Sequence, residues 1–436
     1  MTKQNLLHSI FVIDDFPPED MAMLQALYSR DPRSVTEHLK KVKQAGPGKF
    51  MEKFYVGYGH KSIGDCGTTT IFIEGLSMLA SKAIQDWPLY NGQESSTRYL
   101  DFSQMPIYDP INTNESKKIL DDLMEIYNKS IIEITKNLKN KYPIKQGESI
   151  DIYEKAINAR AFDICRGFLP AGMTTMTAWH TNLRQAYDHI KILRNHPLSE
   201  IRDLSMSILN SLILKYPNSF IHKIYDQEEE YIKNSIKNTC YIEPFKLKND
   251  FEFKSFIRED VLKRYKKHLK NRPKYCELDN KIRTAGDIMF RFYIDFGSFR
   301  DLQRQRSMVC VMPLLTTKLK FNSWYINNFS NEYKVKLINF IDEIKNRIDS
   351  LGCDKYQKQY FIPMGFNVAV EMYASIPSTV YISELRSAKT VHATLRPIAQ
   401  KMGETLKKLI PYIASYCDFG PDEFNLKRGT QDITEK

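Results

Sequence analysis

GQESSTRY, residues 92–99, and FRDLQRQRS, residues 299–307, are the two stretches on which the reading of this 436-residue chain turns. The first packs a carboxylate, several hydroxyls and an arginine into eight residues. The second sets Arg300, Arg304 and Arg306 around about one turn of an expected helix. Each follows the same lead-in, an apolar strand ending in an acid, a glycine and a serine: IFIEGLS at 71–77 and FYIDFGS at 292–298. Later signals recur in the same order. FLPAGM at 168–173 is answered by FIPMGF at 361–366, and the LR pair at 193–194 by the LR pair at 385–386. Repeated signals in constant order point to an internal duplication.

Working outward, the first copy is expected over residues 1–225 and the second over 282–436, joined by a charged, irregular connector at 226–281. TTTIFIE and MFRFYID have the β-branched and aromatic content of buried strands. Helices are expected from Asp31-Pro32 to the glycines after residue 45, over 77–87, 115–142, 152–166, 179–194 and 198–215, and again over 299–305 and 332–351. The expected fold class is therefore α+β, a small mixed sheet packed by long helices and present twice.

Composition narrows the function. The chain is 42 % hydrophobic and 26 % charged, as globular proteins are, and has no apolar run near the ~18 residues of a membrane span. Seven cysteines without a CxxC pair argue against a disulfide framework and a zinc site, and fit a reducing cytoplasm. The net charge of +11 resides largely in lysine-rich tracts such as KRYKKHLKNRPK at 263–274, expected on a solvated helix. Attraction of anionic small molecules is the next reading. Nucleic-acid binding comes last, since no nucleic-acid module is present.

In the first cluster, arginine beside serine and threonine hydroxyls suits a phosphomonoester, because a guanidinium gives parallel charged hydrogen bonds to its oxygens. An ordinary helix cap with Arg98 in solvent explains the same residues. In the second, Arg304 and Arg306 suit a bulky anion, whereas a surface stripe paired with Asp295 and Asp301 is the plainer account. His60 and His392 are lone histidines, more often structural than functional. No HExxH, P-loop or GxGxxG fingerprint is present.

The ordered set GHKS, TTTIFIE, ESSTRY, LPAGMTT, NLRQAYDH and LR…EIR resembles the flavin-dependent thymidylate synthases over residues 50–210. In that family GHxS, a strand, RHRxxSxNExSxRY and a late LP…NxR…LR come in this order. Residues 285–405 resemble the same fold more weakly. The first copy has no arginine where RHR is expected, at 84–88; the second has RQR at 304–306 but nothing like ExSxRY. The resemblance implies FAD as cofactor, NADPH and methylenetetrahydrofolate as co-substrates, and methylation of dUMP to dTMP. It implies that Glu94, Ser96, Arg98 and Tyr99 hold dUMP, with Ser96 and Arg386 at the reacting uracil. His60, Asn182, Arg184, Arg304, Gln305, Arg306 and His392 would lie along the flavin. Arg194 is the first-copy counterpart of Arg386. Family enzymes are homotetramers with sites shared between subunits, so a duplicated chain implies a homodimer that mimics the tetramer. Two other readings stay open: a flavoenzyme acting on another uracil nucleotide, and a degenerate nucleotide-binding protein without catalysis.

Overall fold

The computed structural model describes residues 13, 15–305 and 307–430. In chain order, α1 (Pro18–Tyr28) and α2 (Val35–Ala45) precede β1 (Thr68–Ser77), which runs into α3 (Met78–Gln85). There follow β2 (Asn91–Glu94), α4 (Asn114–Lys141), α5 (Ile150–Cys165), β3 (Thr174–Asn182), α6 (Leu183–Leu193), α7 (Ser199–Lys215) and α8 (Asp226–Thr239). Next come β4 (Phe251–Ser255), β5 (Asp287–Asp295), α9 (Phe296–Gln303), β6 (Val309–Val311) and α10 (Asn331–Ser350). Then β7 (Asn367–Ser375) leads through α11 (Ile376–Ser387) to α12 (Arg396–Leu409). Among the described residues no helix is long and apolar enough to cross a membrane.

Contacts divide the chain into two compact units. Of the described residues, one holds those up to 72 together with 89–92 and 178–234; the other holds 73–88, 93–177 and those from 235 to 430. In the first unit, Met23, Leu24 and Val42 join α1 to α2 in a small apolar cluster. Ser34 caps α2 by accepting from the Thr36 amide, so the helix starts there and not at Asp31-Pro32. The Asp31 carboxylate is held instead by Arg33, at 2.9 Å from Nε.

The second unit contains a four-stranded sheet of order β4-β5-β7-β6. Every pairing in it is antiparallel, from Asp287↔Ser375 to Asp295↔Asn367 along its centre. It is thus not the mixed sheet expected, because strand direction depends on how the long helical return brings the chain back. Ile288, Phe290, Phe292 and Ile294 face Ala374, Met372, Val370 and Val368 across this pair, all at most 2 % exposed. Each buried side chain of this size contributes roughly 1.5–3 kcal/mol.

The stretch read as an irregular connector is largely regular. Its FEFKS segment adds β4 to the sheet edge, with Phe251 opposite Phe292 and Phe253 opposite Phe290. Residues 179–182, expected at the start of a helix, close β3 instead, and Asn182 caps α6 by accepting from the Gln185 amide at 2.8 Å. The alternation of TTMTAWHT outweighs helix propensity there.

Matching elements recur along the chain. The first sheet has the order β1-β3-β2, and β5-β7-β6 repeats it. β1 and β5 each lead into an eight-residue helix whose cap, Ser77 or Asp295, accepts from the amide three residues on, Ala80 at 3.0 Å or Ser298 at 2.9 Å. Capping therefore aligns Ser77 with Asp295, and not with Ser298 as the lead-in motifs imply. β3 and β7 are both nine residues long, and each follows a short turn of helix, Arg166–Phe168 or Gln359–Phe361.

The FLPAGM and FIPMGF segments pair with each other through an antiparallel bridge at Pro170 and Pro363. Ala171 N donates to Ile362 O at 2.9 Å, and Met364 N to Leu169 O at 2.8 Å. Gly172 N donates to Tyr360 O at 2.7 Å, and Gly365 N to Gly167 O at 2.8 Å. With Pro170 matched to Pro363, each bond is the reciprocal of another, the pattern of a local two-fold axis. A Cβ on Gly172 would lie 2.7 Å from Tyr108 O and 2.8 Å from Tyr360 O, so the close approach requires glycine.

Candidate nucleotide site: an arginine network in the second unit

Residues 93–99 lie in the second unit with α9 and α11. The first motif opens as strand, since Asn91–Glu94 is β2, and then turns: Ser96 Oγ accepts from the Arg98 amide at 3.3 Å. Arg98 reaches α5, where Nε and Nη2 grip Asp163 at 2.7 and 3.2 Å, and Nη2 also donates to Thr390 O at 3.0 Å. Arg428 binds the same carboxylate and lies over the Tyr99 ring, 5.3 Å from its centroid. Burial opposes the charge on Asp163, but Arg98 and Arg428 overcome it and hold this carboxyl well below its ordinary range.

Glu94 is only 1 % exposed in its side chain. It pairs with Arg300 of α9, accepts from Gln85 Nε2 at 2.8 Å, and lies 3.6 Å from Arg304. The helix α9 stops at Gln303, so Arg304 and Gln305 follow its last turn. Arg306 lies outside the described residues.

Asp301 is the centre of the positive charge. Its carboxylate is 3.4 Å from Arg166 Nη1 and its main-chain carbonyl accepts from Arg386 Nη2 at 2.6 Å. Burial again works against ionisation, and Arg304, Arg166, Arg98 and Arg386 together bring its pKa far below the usual value. Among the described residues Arg386 forms no ion pair, and its buried Nε has no acceptor; nor has that of Arg304. Burial, with Arg304 and Arg98 nearby, weakens the proton affinity of Arg386.

Behind this cluster, Asp295 accepts from Tyr325 Oη at 2.6 Å and from Thr394 Oγ1 at 2.5 Å. His392 is fully buried, with Nε2 3.0 Å from Asp163 O and Nδ1 2.9 Å from Thr394 Oγ1. Burial and the neighbouring Arg166 hold its pKa well below the ordinary histidine value, so it is neutral. A flavin-side place for His392 does not agree with this geometry, because both ring nitrogens are already engaged inside the protein.

Among the described residues the linked network brings six arginines (98, 166, 300, 304, 386 and 428) to four carboxylates, Glu94, Asp163, Asp295 and Asp301. Two positive charges are left over, one of them on Arg386. A partly buried surplus of this kind suits an anion, and a phosphomonoester supplies about two negative charges. Among the described residues no acid, cysteine or histidine group could hold a metal ion.

The other expected flavin contacts lie in the first unit. His60 has a buried Nδ1 without a partner and stacks on Tyr58 at 6.1 Å. Asn182 is occupied as the α6 cap, and Arg184 pairs with Asp65 at 2.7 Å and Asp188 at 3.5 Å. Arg194 is paired with Glu229, a structural tie to α8.

Motif reading missed Asp163, Arg166 and Arg428. For the first two a signal exists: an acid and an arginine three apart inside the apolar run AFDICRGFLP. Charges at such positions are buried only when partnered. No local signal marks Arg428, which comes from the far C-terminal segment.

This constellation can be set beside known proteins. The sequence model of the family described as thymidylate synthase complementing protein matches residues 12–218, which include GHKS, ESSTRY and LPAGMTT. Relatives extend along most of the chain. A UPF0159 protein of Chlamydia pneumoniae is 23 % identical over 429 residues, covering 85 % of this chain and 80 % of its own length. One from Thermoplasma acidophilum is 23 % identical over 479 residues, covering 92 % and 95 %. The family match includes Glu94, Ser96 and Arg98, while Asp301, Arg304 and Arg386 fall beyond it.

Proposed function

We propose that this chain is a duplicated flavin-dependent thymidylate synthase, which methylates dUMP to dTMP with methylenetetrahydrofolate as carbon donor and NADPH as reductant. The observation that carries the reading is the unpaired charge of Arg386 beside Asp301, within a network that contains the family motif. Arg98 and Ser96 bind the phosphate, Tyr99 closes the motif, and Arg386 stabilises negative charge developing on the uracil ring. A cysteine nucleophile has no part in it.

The fit to a flavin is tested by polar atoms left open. Arg304 Nε is buried without an acceptor, and the half-buried Gln305 beside it carries both a donor and an acceptor. These two residues of the second unit would hold the cofactor. When bound, the flavin would supply the hydride that completes the methyl group. Arg304 and Gln305 orient it and keep positive charge beside it.

The reciprocal bonds at Pro170 and Pro363 support one chain standing for two family subunits, so the working form is a homodimer. Light scattering that gave a tetramer of 51 kDa chains would count against this. The activity is tested by tritium release from 5-tritiated dUMP. Release that requires FAD, NADPH and methylenetetrahydrofolate together supports the reading; absence of release from folded, dUMP-binding protein refutes it. Burial of Glu94 against Arg300 and Gln85 favours one alternative, a nucleotide-binding protein that has lost catalysis. A colourless protein that binds dUMP would support that alternative.

A further inference from the structure

The antiparallel sheet of the second unit ends at β4, which pairs with β5 on one side and, among the described residues, with no strand on the other. The ladder decides which main-chain groups face that open side. Tyr293 N donates to Asp250 O at 3.2 Å and Phe256 N to Asp287 O at 2.9 Å, so residues 250, 252, 254 and 256 hold the hydrogen-bonded positions against β5. The amides and carbonyls of Phe251, Phe253 and Ser255 therefore point outward, a row of groups that can template another strand.

Proline or a bulge often closes such an edge. FEFKS has no proline, and its register with β5 runs without a bulge. Phe253 is 37 % exposed, and Phe256 just beyond the strand is 46 % exposed. Beside the strand, α12 leaves a groove of about 400 Å³ lined by Phe251, Phe253, Lys401, Glu404 and Lys408. Lys401 and Lys408 lie over the rings of Phe251 and Phe253, each 5.7 Å from the centroid.

The residues of the edge are complementary to themselves. Set antiparallel to its own copy about Phe253, FEFKS places Phe253 opposite Phe253, Phe251 opposite Ser255, and Glu252 opposite Lys254 twice. In this register the hydrogen-bonded pairs are formed by 251, 253 and 255, whose groups are the open ones. Glu252 and Lys254 then meet at the closely spaced positions, where opposite charges on paired strands attract. A shift of two residues either way would set Glu252 against Glu252 or Lys254 against Lys254, so charge fixes the register. Neither residue has an ion-pair partner among the described residues: Glu252 Oε1 accepts from the amides of Lys248 and Asn249 at 2.7 and 3.0 Å, and Lys254 lies over the Phe256 ring. The phenylalanines of both copies fall on one face, beside the groove.

We propose that two copies of this chain join through their β4 edges, making one continuous sheet across a two-fold axis at Phe253. The pairing names a surface for the homodimer proposed above and rests on that part of the reading, not on the chemistry assigned to the arginine network.

Sedimentation velocity of the full chain over a concentration series tests it. The wild type is a dimer. Lys254→Glu turns both opposite-charge pairs into like-charge pairs and raises the dissociation constant of the dimer roughly tenfold or more. Adding Glu252→Lys restores the attraction with its signs exchanged and returns the constant towards the wild-type value. Ser255→Pro removes an outward amide and no bond to β5, and leaves monomers; circular dichroism verifies folding of each variant. Where Ser255→Pro does not fold, the charge exchange alone decides. Dimers unaffected by Lys254→Glu, or weakened by it without rescue in the double variant, overturn this proposal and leave the homodimer reading standing. Wild-type monomers at every concentration overturn both and leave the edge to a strand from another protein. Tetramers that Ser255→Pro divides into dimers support the edge pairing and count against the homodimer reading.

Discussion

Replacing Asp301 by asparagine removes one negative charge from among four arginines with almost no change of shape. The variant should be less stable without ligand and bind dUMP more tightly. Breaking one side of a buried ion pair costs about 3–5 kcal/mol. Here the lower end applies, because Arg166 keeps its bond to Ser298 Oγ at 2.8 Å and Arg386 bonds the main-chain carbonyl, which asparagine retains. About 3 kcal/mol of stability should be lost. For the ligand the sign reverses: two unit charges about 6 Å apart at an effective dielectric near 20 repel by about 3 kcal/mol. After screening and relaxation, dUMP should bind roughly tenfold to a hundredfold more tightly.

Calorimetric titration of dUMP, with thermal unfolding measured with and without saturating nucleotide, reads both effects. Ligand stabilisation grows with the logarithm of concentration over Kd, so the variant should gain more from dUMP than the wild type does. The pH dependence supplies a control. Asp301 has a depressed folded pKa, so its contribution is present above the unfolded value of 3.8 and is lost as pH falls towards the folded one. The stability gap between variant and wild type should close over that acid range. Unchanged or weaker dUMP binding, with unaltered unliganded stability, would refute the idea that Asp301 offsets charge kept for a phosphate.

Other outcomes follow from the same network. Arg98→Ala should weaken dUMP binding by roughly 1.5–3 kcal/mol for a lost charged donor, while the protein stays folded because Arg428 still neutralises Asp163; unchanged affinity in a titration would remove Arg98 from the phosphate site. His392→Leu should flatten the acid side of the stability profile. The histidine's depressed folded pKa means that the wild type loses stability as pH falls below about 6.5, and denaturant midpoints across pH 5–8 would report the missing slope. Gly172→Ala should cost about 1–3 kcal/mol in urea unfolding, since the new methyl group meets two carbonyl oxygens that belong to opposed segments.

Much of the architecture was legible locally. Apolar periodicity marked the strands that became β1 and β5 and the long helices α4 and α10 within a few residues, because burial of one face is a nearest-neighbour property. The FLPAGM and FIPMGF signals were recognised as a pair, though not that they bond to each other. The connector was misjudged for a different reason. A short edge strand such as FEFKS is stabilised by its partner β5 and carries little signal of its own.

The site divides the same way. By itself the sequence determined which residue types were present for anion binding and in what order, since the motif containing Glu94, Ser96 and Arg98 is contiguous. Only the tertiary structure decided their partners. It tied Glu94 to Arg300, 206 residues away, and gave Arg98 and Arg428 the same buried Asp163. Among the described residues it also gave Arg386 a main-chain carbonyl, that of Asp301, and no ion pair. Which buried charges are neutralised and which remain for a ligand is set by distances of a few ångströms between segments remote in the chain. Coulomb and desolvation energies depend on those distances, and no local pattern of residues encodes them.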